Sequence, residues 1–234
     1  MHKSLFYSLL ALFLISTSIN AAESYTKIDA STLKECIGNK DFYVIDTREV
    51  TTIAKGYIAN SLIIQPPMFK WVYSLVPGSS KIIIISDKKN YSSTMKKYID
   101  TKKYQIVGYC IYDEVIQYPY FNTEKIEYNP NTYKNIETII KNKETIIDIR
   151  NIEEYKETGV IKEALLVPIS TFMKQGYKKI PTKGKVYVYC YGGNRAVVAM
   201  SFIKRAGYTN KFYIMKNGLF NAIQEGYPLV PYSG

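Results

Sequence analysis

Histidine is almost missing from this 234-residue chain: the single one, His2, stands at the extreme amino terminus. Cysteine is scarce as well, with Cys36, Cys110 and Cys190 scattered over the length. Without an imidazole in the body of the chain, Cys–His and Ser–His nucleophile pairs and every His-ligated metal site are excluded. Three dispersed thiols have neither the number nor the close spacing of a metal cluster, so no metal and no cofactor is expected.

Long apolar runs are lacking beyond the first residues. The opening, MHKSLFYSLLALFLISTSINAAES, sets Lys3 before an uncharged apolar run from Leu5 to Ile15, followed by small and polar residues up to Ala21 and Ala22. That pattern reads as a secretory signal peptide over residues 1–22, and the run is short of the roughly 20 apolar residues of a membrane span. A periplasmic or secreted protein is therefore expected, with no stable membrane insertion once the signal is removed. Acidic residues are few against 31 Lys and Arg, and the formal net charge is +11. No Lys/Arg block and no nucleic-acid motif accompanies this charge, so nucleic acid is not an expected partner. A solvated lysine surface that steers small anions is the simpler reading.

What the chain does contain is a repeat. "KIIIISDKKNYSSTMKKYIDTKKY" (81–104) aligns without a gap on "KVYVYCYGGNRAVVAMSFIKRAGY" (185–208). Upstream, Asp46 and Arg48 fall on Asp148 and Arg150. Gly56-Tyr-Ile58 then falls on Gly159-Val-Ile161, and Pro66 on Pro168. Landmarks in one order at a nearly constant offset imply two units, residues 23–112 and 132–234. Residues 113–131, with Pro119 and Asn129-Pro130, are expected to link them.

Within the units, the β-branched and aromatic runs 43–45, 82–85, 146–149 and 186–189 read as buried strands. Helical patterns lie between them at 31–37, 132–141 and 195–206, the last ending at Gly207. Alternating strands and helices predict an α/β class in which each unit is a mainly parallel sheet with helices on both faces.

Chemistry concentrates at Cys190, which ends a predicted strand and precedes Tyr191-Gly192-Gly193-Asn194-Arg195 and a helix. Ligands gather at the carboxyl ends of parallel strands, where a helix N-terminus points free amides outward. Glycines at 192 and 193 let the backbone curl so that amides converge on one atom. A thiolate is favoured by such amides and by an adjacent arginine, with no histidine base required. Cys36 and Cys110 read as buried core residues, with a structural disulfide between them as the alternative.

The loop Cys190-Tyr-Gly-Gly-Asn-Arg195 resembles the six-residue active loop of the rhodanese family of sulfurtransferases. Asp148-Ile-Arg150 with Glu154-Tyr155 and Gly159-x-Ile161 resembles the family's first sequence signature, and Lys216-Asn-Gly218 through Gly226-Tyr-Pro228 its last. The likeness covers residues 133–232 well and 26–112 more weakly, so the whole resembles a tandem rhodanese. It implies a ping-pong transfer of sulfane sulfur, from a small anionic donor such as thiosulfate or polysulfide, through a persulfide on Cys190. The acceptor would be cyanide, a thiol or a protein. Residues 191–195 would cradle the sulfur, Arg195 would pin the loop to a carboxylate or bind the donor, and Asp148 and Arg150 would brace the site.

Two departures bear on the substrate. Tyr191 stands where many thiosulfate-using members carry a basic residue, and Val160 replaces the usual histidine of Gly-His-Ile. In the first unit Ser86 takes the place of Cys190, Lys88 and Lys89 replace the glycines and Tyr91 replaces the arginine, which predicts a non-catalytic half. A sulfur or polysulfide carrier with little free turnover is the alternative function. A cysteine phosphatase is disfavoured, because the related phosphatases place five residues between cysteine and arginine and only four stand here.

Overall fold

The computed structural model describes residues 25–87, 99, 103–130, 132–172 and 174–234. The expected signal peptide and the first unit's Lys88, Lys89 and Tyr91 lie outside the described residues. Strands β1 (Phe42–Asp46), β2 (Tyr57–Ile58), β3 (Leu62–Ile63), β4 (Lys81–Ser86) and β5 (Gln105–Ile111) belong to the first unit. Next come β6 (Thr123–Glu124), β7 (Glu127–Pro130), β8 (Thr145–Asp148), β9 (Leu165–Leu166), β10 (Lys185–Tyr189) and β11 (Lys211–Lys216). The described helices of seven residues or more are α1 (Ala30–Cys36), α2 (Tyr133–Lys141), α3 (Ile152–Thr158), α4 (Asn194–Arg205) and α5 (Gly218–Gln224).

Two parallel sheets result, with orders β3-β1-β4-β5 and β7-β11-β10-β8-β9. Position for position these are one order. The counterpart of β7 in the first unit is the parallel bridge of Lys27 to Tyr109 on β5. The central strands β4 and β10 are apolar at nearly every position and are buried from their second residue onward, as a sheet covered on both faces requires.

Residues 113–131 do more than link. β6 turns back to pair antiparallel with β2, and β7 joins the second sheet as its edge strand beside β11. The second sheet thus begins at Glu127, ahead of the expected boundary at 132. Asn129-Pro130, expected as part of the linker, ends this edge strand, where a proline removes no interior ladder bond.

A single apolar cluster runs through both units, joining Ile45, Leu62 and Phe69 to Val197, Ile203 and Phe212. Helix α4 is the seam. Its Ser201 hydroxyl accepts the Ile63 amide at 3.0 Å, filling the open edge of β3. Lys204 pairs with Glu124 at 2.6 Å, and Glu124 also accepts the Tyr57 hydroxyl. Arg205 donates to the carbonyls of Phe42, Asn39 and Asn60 and lies 4.4 Å from the Tyr43 ring centre. The helix that starts at the cysteine loop therefore ends clamped to the other unit.

The recurring Asp-x-Arg…Gly pattern has one structural meaning in both halves. Arg48 grips Asp46 and donates to the Gly56 carbonyl at 2.8 Å. Arg150 grips Asp148 and donates to the Gly159 carbonyl at 2.8 Å. Each pair ties the end of a central strand to the turn that follows the next helix. Both charges of the second pair are fully buried. Removing one partner strands the other charge without water, so Asp148→Ala should cost about 3–5 kcal/mol, read from urea denaturation.

Candidate active site

Cys190 follows the last residue of β10, and the chain turns sharply there. Gly193 has φ +99°, a conformation that L side chains rarely adopt, and it caps α4. The turn brings the Gly193 amide back onto the cysteine, where it donates to Sγ at 3.0 Å. Cys190 is only 2% exposed, so the sulfur lies beneath the loop. Tyr191, Gly192 and Asn194 are exposed on the outer surface of the turn, and the Tyr191 ring packs toward Phe220 at 6.2 Å. Of the cradle expected from residues 191–195, the Gly193 amide hydrogen-bonds the sulfur, and Arg195 interacts with Cys190 electrostatically.

Arg195 is held by a two-pronged bond to Glu154, each prong 2.6 Å. Glu154 is in turn fixed by the Asn151 amide at 2.9 Å, and its own main-chain carbonyl faces Arg150. Burial alone would lower the Arg195 pKa, but its bond to Glu154 and its interaction with Cys190 outweigh this and raise it. Asp148 and Arg150 do not contact the sulfur in this arrangement. They hold α3, α3 holds Glu154, and Glu154 holds Arg195.

Burial would raise the Glu154 pKa, yet the Arg195 fork and the Asn151 amide more than offset this and leave it below its ordinary value of 4.5. A depressed folded-state pKa gives stability that is present above the unfolded value and lost as pH falls through the folded one. Stability should therefore fall below pH 4.5, and Glu154→Gln should flatten that acid limb in thermal melts.

From the other side, α5 closes the site. Leu219 and Phe220 donate their amides to the carbonyls of Cys190 and Tyr191 at 2.8 and 3.1 Å. The approach is so close that a Cβ on Gly218 would lie 2.1 Å from the Cys190 carbonyl oxygen. Gly218 also has φ +55°. The closing Lys216-Asn-Gly218 segment is thus part of the loop's scaffold, a role that its distance in sequence conceals. The sequence reading likewise assigns Glu154 no role of its own, although Asn151 three residues ahead of it has the spacing of a helix capping box.

Beside the loop a cleft of about 450 Å³ opens between the units, walled by Gly192–Asn194, Lys216 and, from the first unit, Val50 and Ala54. The remaining thiols are separate from it. Cys36 and Cys110 are free and buried, so the disulfide alternative is not formed. Burial pushes their pKa values up to about 11 and about 12. Ser86, the counterpart of Cys190, is fully buried at the end of β4. Among the described residues no group of His, Cys, Asp and Glu is arranged to hold a metal ion.

Residues 132–225 match the family model described as rhodanese-like domain. A tRNA uridine(34) hydroxylase of Buchnera aphidicola subsp. Baizongia pistaciae is 31% identical over 106 residues, which is 42% of this chain and 33% of that protein. The chain thus matches a third of the length of that curated relative. Among solved structures, a rhodanese-related protein from Thermoplasma volcanium is 28% identical, with a TM-score of 0.37. Its match covers 44% of this chain and 98% of its own. A thiosulfate sulfurtransferase from Pseudomonas aeruginosa is 13% identical, with a TM-score of 0.39, covering 89% of this chain and 44% of its own. The cysteine loop, its Glu154–Arg195 bond and the Gly218 scaffold all lie within the matched residues 132–225.

Proposed function

We propose that this protein is a sulfurtransferase of the periplasm or cell exterior, built as a tandem rhodanese whose first unit is non-catalytic. Cys190 is the nucleophile. Its thiolate attacks the terminal sulfur of a donor such as thiosulfate, the donor's S–S bond breaks, and sulfite leaves with the bonding pair. A persulfide remains on Cys190. An acceptor then removes the outer sulfur and restores the thiolate; with cyanide the product is thiocyanate. No proton needs to be taken up or released by a side chain in either step, which suits a chain without a usable histidine.

One observation carries the reading: the Gly193 amide is aimed at Cys190 Sγ from 3.0 Å, with the Arg195 charge held beside it by Glu154. Preorganised donors of this kind stabilise negative charge on sulfur as they do on an oxyanion. Because Arg195 is already engaged in both prongs by a carboxylate, it is poorly placed to embrace a phosphate, and a phosphatase is disfavoured on that ground as well as by loop length. A carrier that holds the persulfide for one protein partner is favoured by the burial of Cys190. Intact-mass measurement after exposure to thiosulfate or polysulfide tests the proposal: the chain should gain one sulfur atom that cyanide removes. Rapid multiple turnover with cyanide supports the enzyme, whereas loading without release to small acceptors supports the carrier. No gain of sulfur overturns both.

A further inference from the structure

Residues 226–234 lie beyond those matched by the rhodanese-like family model. They run back over α3, the helix that presents Glu154 to Arg195. Val230 and Val160 exchange main-chain hydrogen bonds, each 2.9 Å, in an antiparallel bridge. The approach is tight: a Cβ on Gly159, which has φ +77°, would stand 2.7 Å from the Val230 carbonyl oxygen. Arg150 anchors at the same glycine, donating to its carbonyl at 2.8 Å. Two residues beyond the bridge, the Tyr232 ring packs on Tyr155 with centres 5.5 Å apart. Tyr155 is fully buried, and its hydroxyl donates to the Asp148 carbonyl at 2.8 Å. The tail thus holds α3 at two points, by hydrogen bonds at the turn that ends it and by an aromatic contact on its buried tyrosine. Glu154 is the residue directly before that tyrosine.

The first unit carries the corresponding strap, with β6 antiparallel on β2 and Tyr57 opposite Glu124. There it ends in the contact of Glu124 with Lys204 and joins the two units. In the second unit it ends on α3. We infer that Tyr232 is a positioning residue for sulfur transfer: through Tyr155 and α3 it sets Glu154, and through Glu154 it sets the Arg195 charge beside Cys190. The inference rests on the sulfurtransferase reading. Helix α3 has seven residues, and so short a helix takes its stability and its orientation from what packs on it. The two-pronged bond of Glu154 to Arg195 is directional, so a small rotation of α3 breaks a prong. Loss of the Tyr232 ring therefore displaces the charge beside the reacting sulfur and leaves the donor's path unchanged.

The test follows persulfide loading of the full chain by intact mass, with inorganic polysulfide as donor. Tyr232→Ala should slow the limiting rate of loading about tenfold, with the half-saturating polysulfide concentration unchanged. Tyr232→Phe keeps the ring and should load at the original rate. The same pair of variants is then made in Glu154→Ala. There Tyr232→Ala should change the rate little, because the bond it acts through is already gone. If the unsubstituted chain loads and Tyr232→Ala has no effect on the limiting rate, or slows it equally in both backgrounds, the inference is wrong and the sulfurtransferase reading stands. Slowing by Tyr232→Phe as large as by Tyr232→Ala overturns it as well. If the unsubstituted chain gains no sulfur, both fall. Should Tyr232→Ala fail to fold by circular dichroism, Tyr232→Leu, which keeps apolar bulk without the ring, takes its place in the cycle.

Discussion

Cys190→Ser should abolish persulfide formation and lower sulfur transfer to cyanide by at least about 10³-fold, the scale of losing a nucleophile outright. Serine keeps the volume of the site and the Gly193 amide, so folding should change little. What disappears is the sulfur nucleophile that the proposed transfer requires. A hydroxyl needs a base to attack, and no histidine follows His2. Cys36→Ser and Cys110→Ser form the control. Both thiols are buried in the first unit's core, with pKa values pushed to about 11 and about 12, and neither lies near the loop. These two variants should keep turnover. Transfer persisting in Cys190→Ser, or lost in the controls with folding intact, would move the chemistry elsewhere.

The second large effect concerns a residue with no reactive group. Gly218→Ala puts a Cβ where the Cys190 and Tyr191 carbonyl oxygens lie 2.1 and 2.5 Å away. Main-chain atoms cannot swing aside as a side-chain tip does, so the cysteine loop must move. Displacements on the order of 1 Å at a reacting group cost about 10²-fold in rate, and that is the expected loss in kcat/KM. Gly207→Ala separates this from simple backbone strain. Gly207 shares a positive φ of +92° but has nothing within 4 Å of its would-be Cβ. Its variant should lose about 1–2 kcal/mol of stability and keep its turnover. Equal turnover in the two variants would mean that α5 does not position the loop.

The repeated α/β architecture is legible in the residues themselves, through the gapless match of 81–104 to 185–208. Strand signals survive because the central strands, buried on both faces, must be apolar throughout, as Ile82–Ile85 and Val186–Tyr189 are. Helix α4 is legible for a similar reason, lying between a glycine-rich turn and Gly207. Residues 113–131 mislead. An edge strand has one partner and an exposed flank, so β7 carries no run of apolar residues and its Pro130 looks like a terminator. The Asp-x-Arg pairs are visible as a pattern, but their service to Glu154 and Arg195 is not.

Sequence alone determined that no imidazole follows His2, that Cys190 stands with two glycines and an arginine, and that the aligned positions of the first half carry Ser86, Lys88, Lys89 and Tyr91 instead. Those facts depend on residue identity, which no folding can alter. Tertiary structure alone decided that the Gly193 amide reaches the sulfur, that Glu154 holds Arg195, that Gly218 underlies the loop and that Val50 and Ala54 line the cleft beside it. Each of these depends on how the main chain packs around the loop, and most join residues far apart in the chain. Such contacts are set by the packing of sheets and helices rather than by neighbours in sequence.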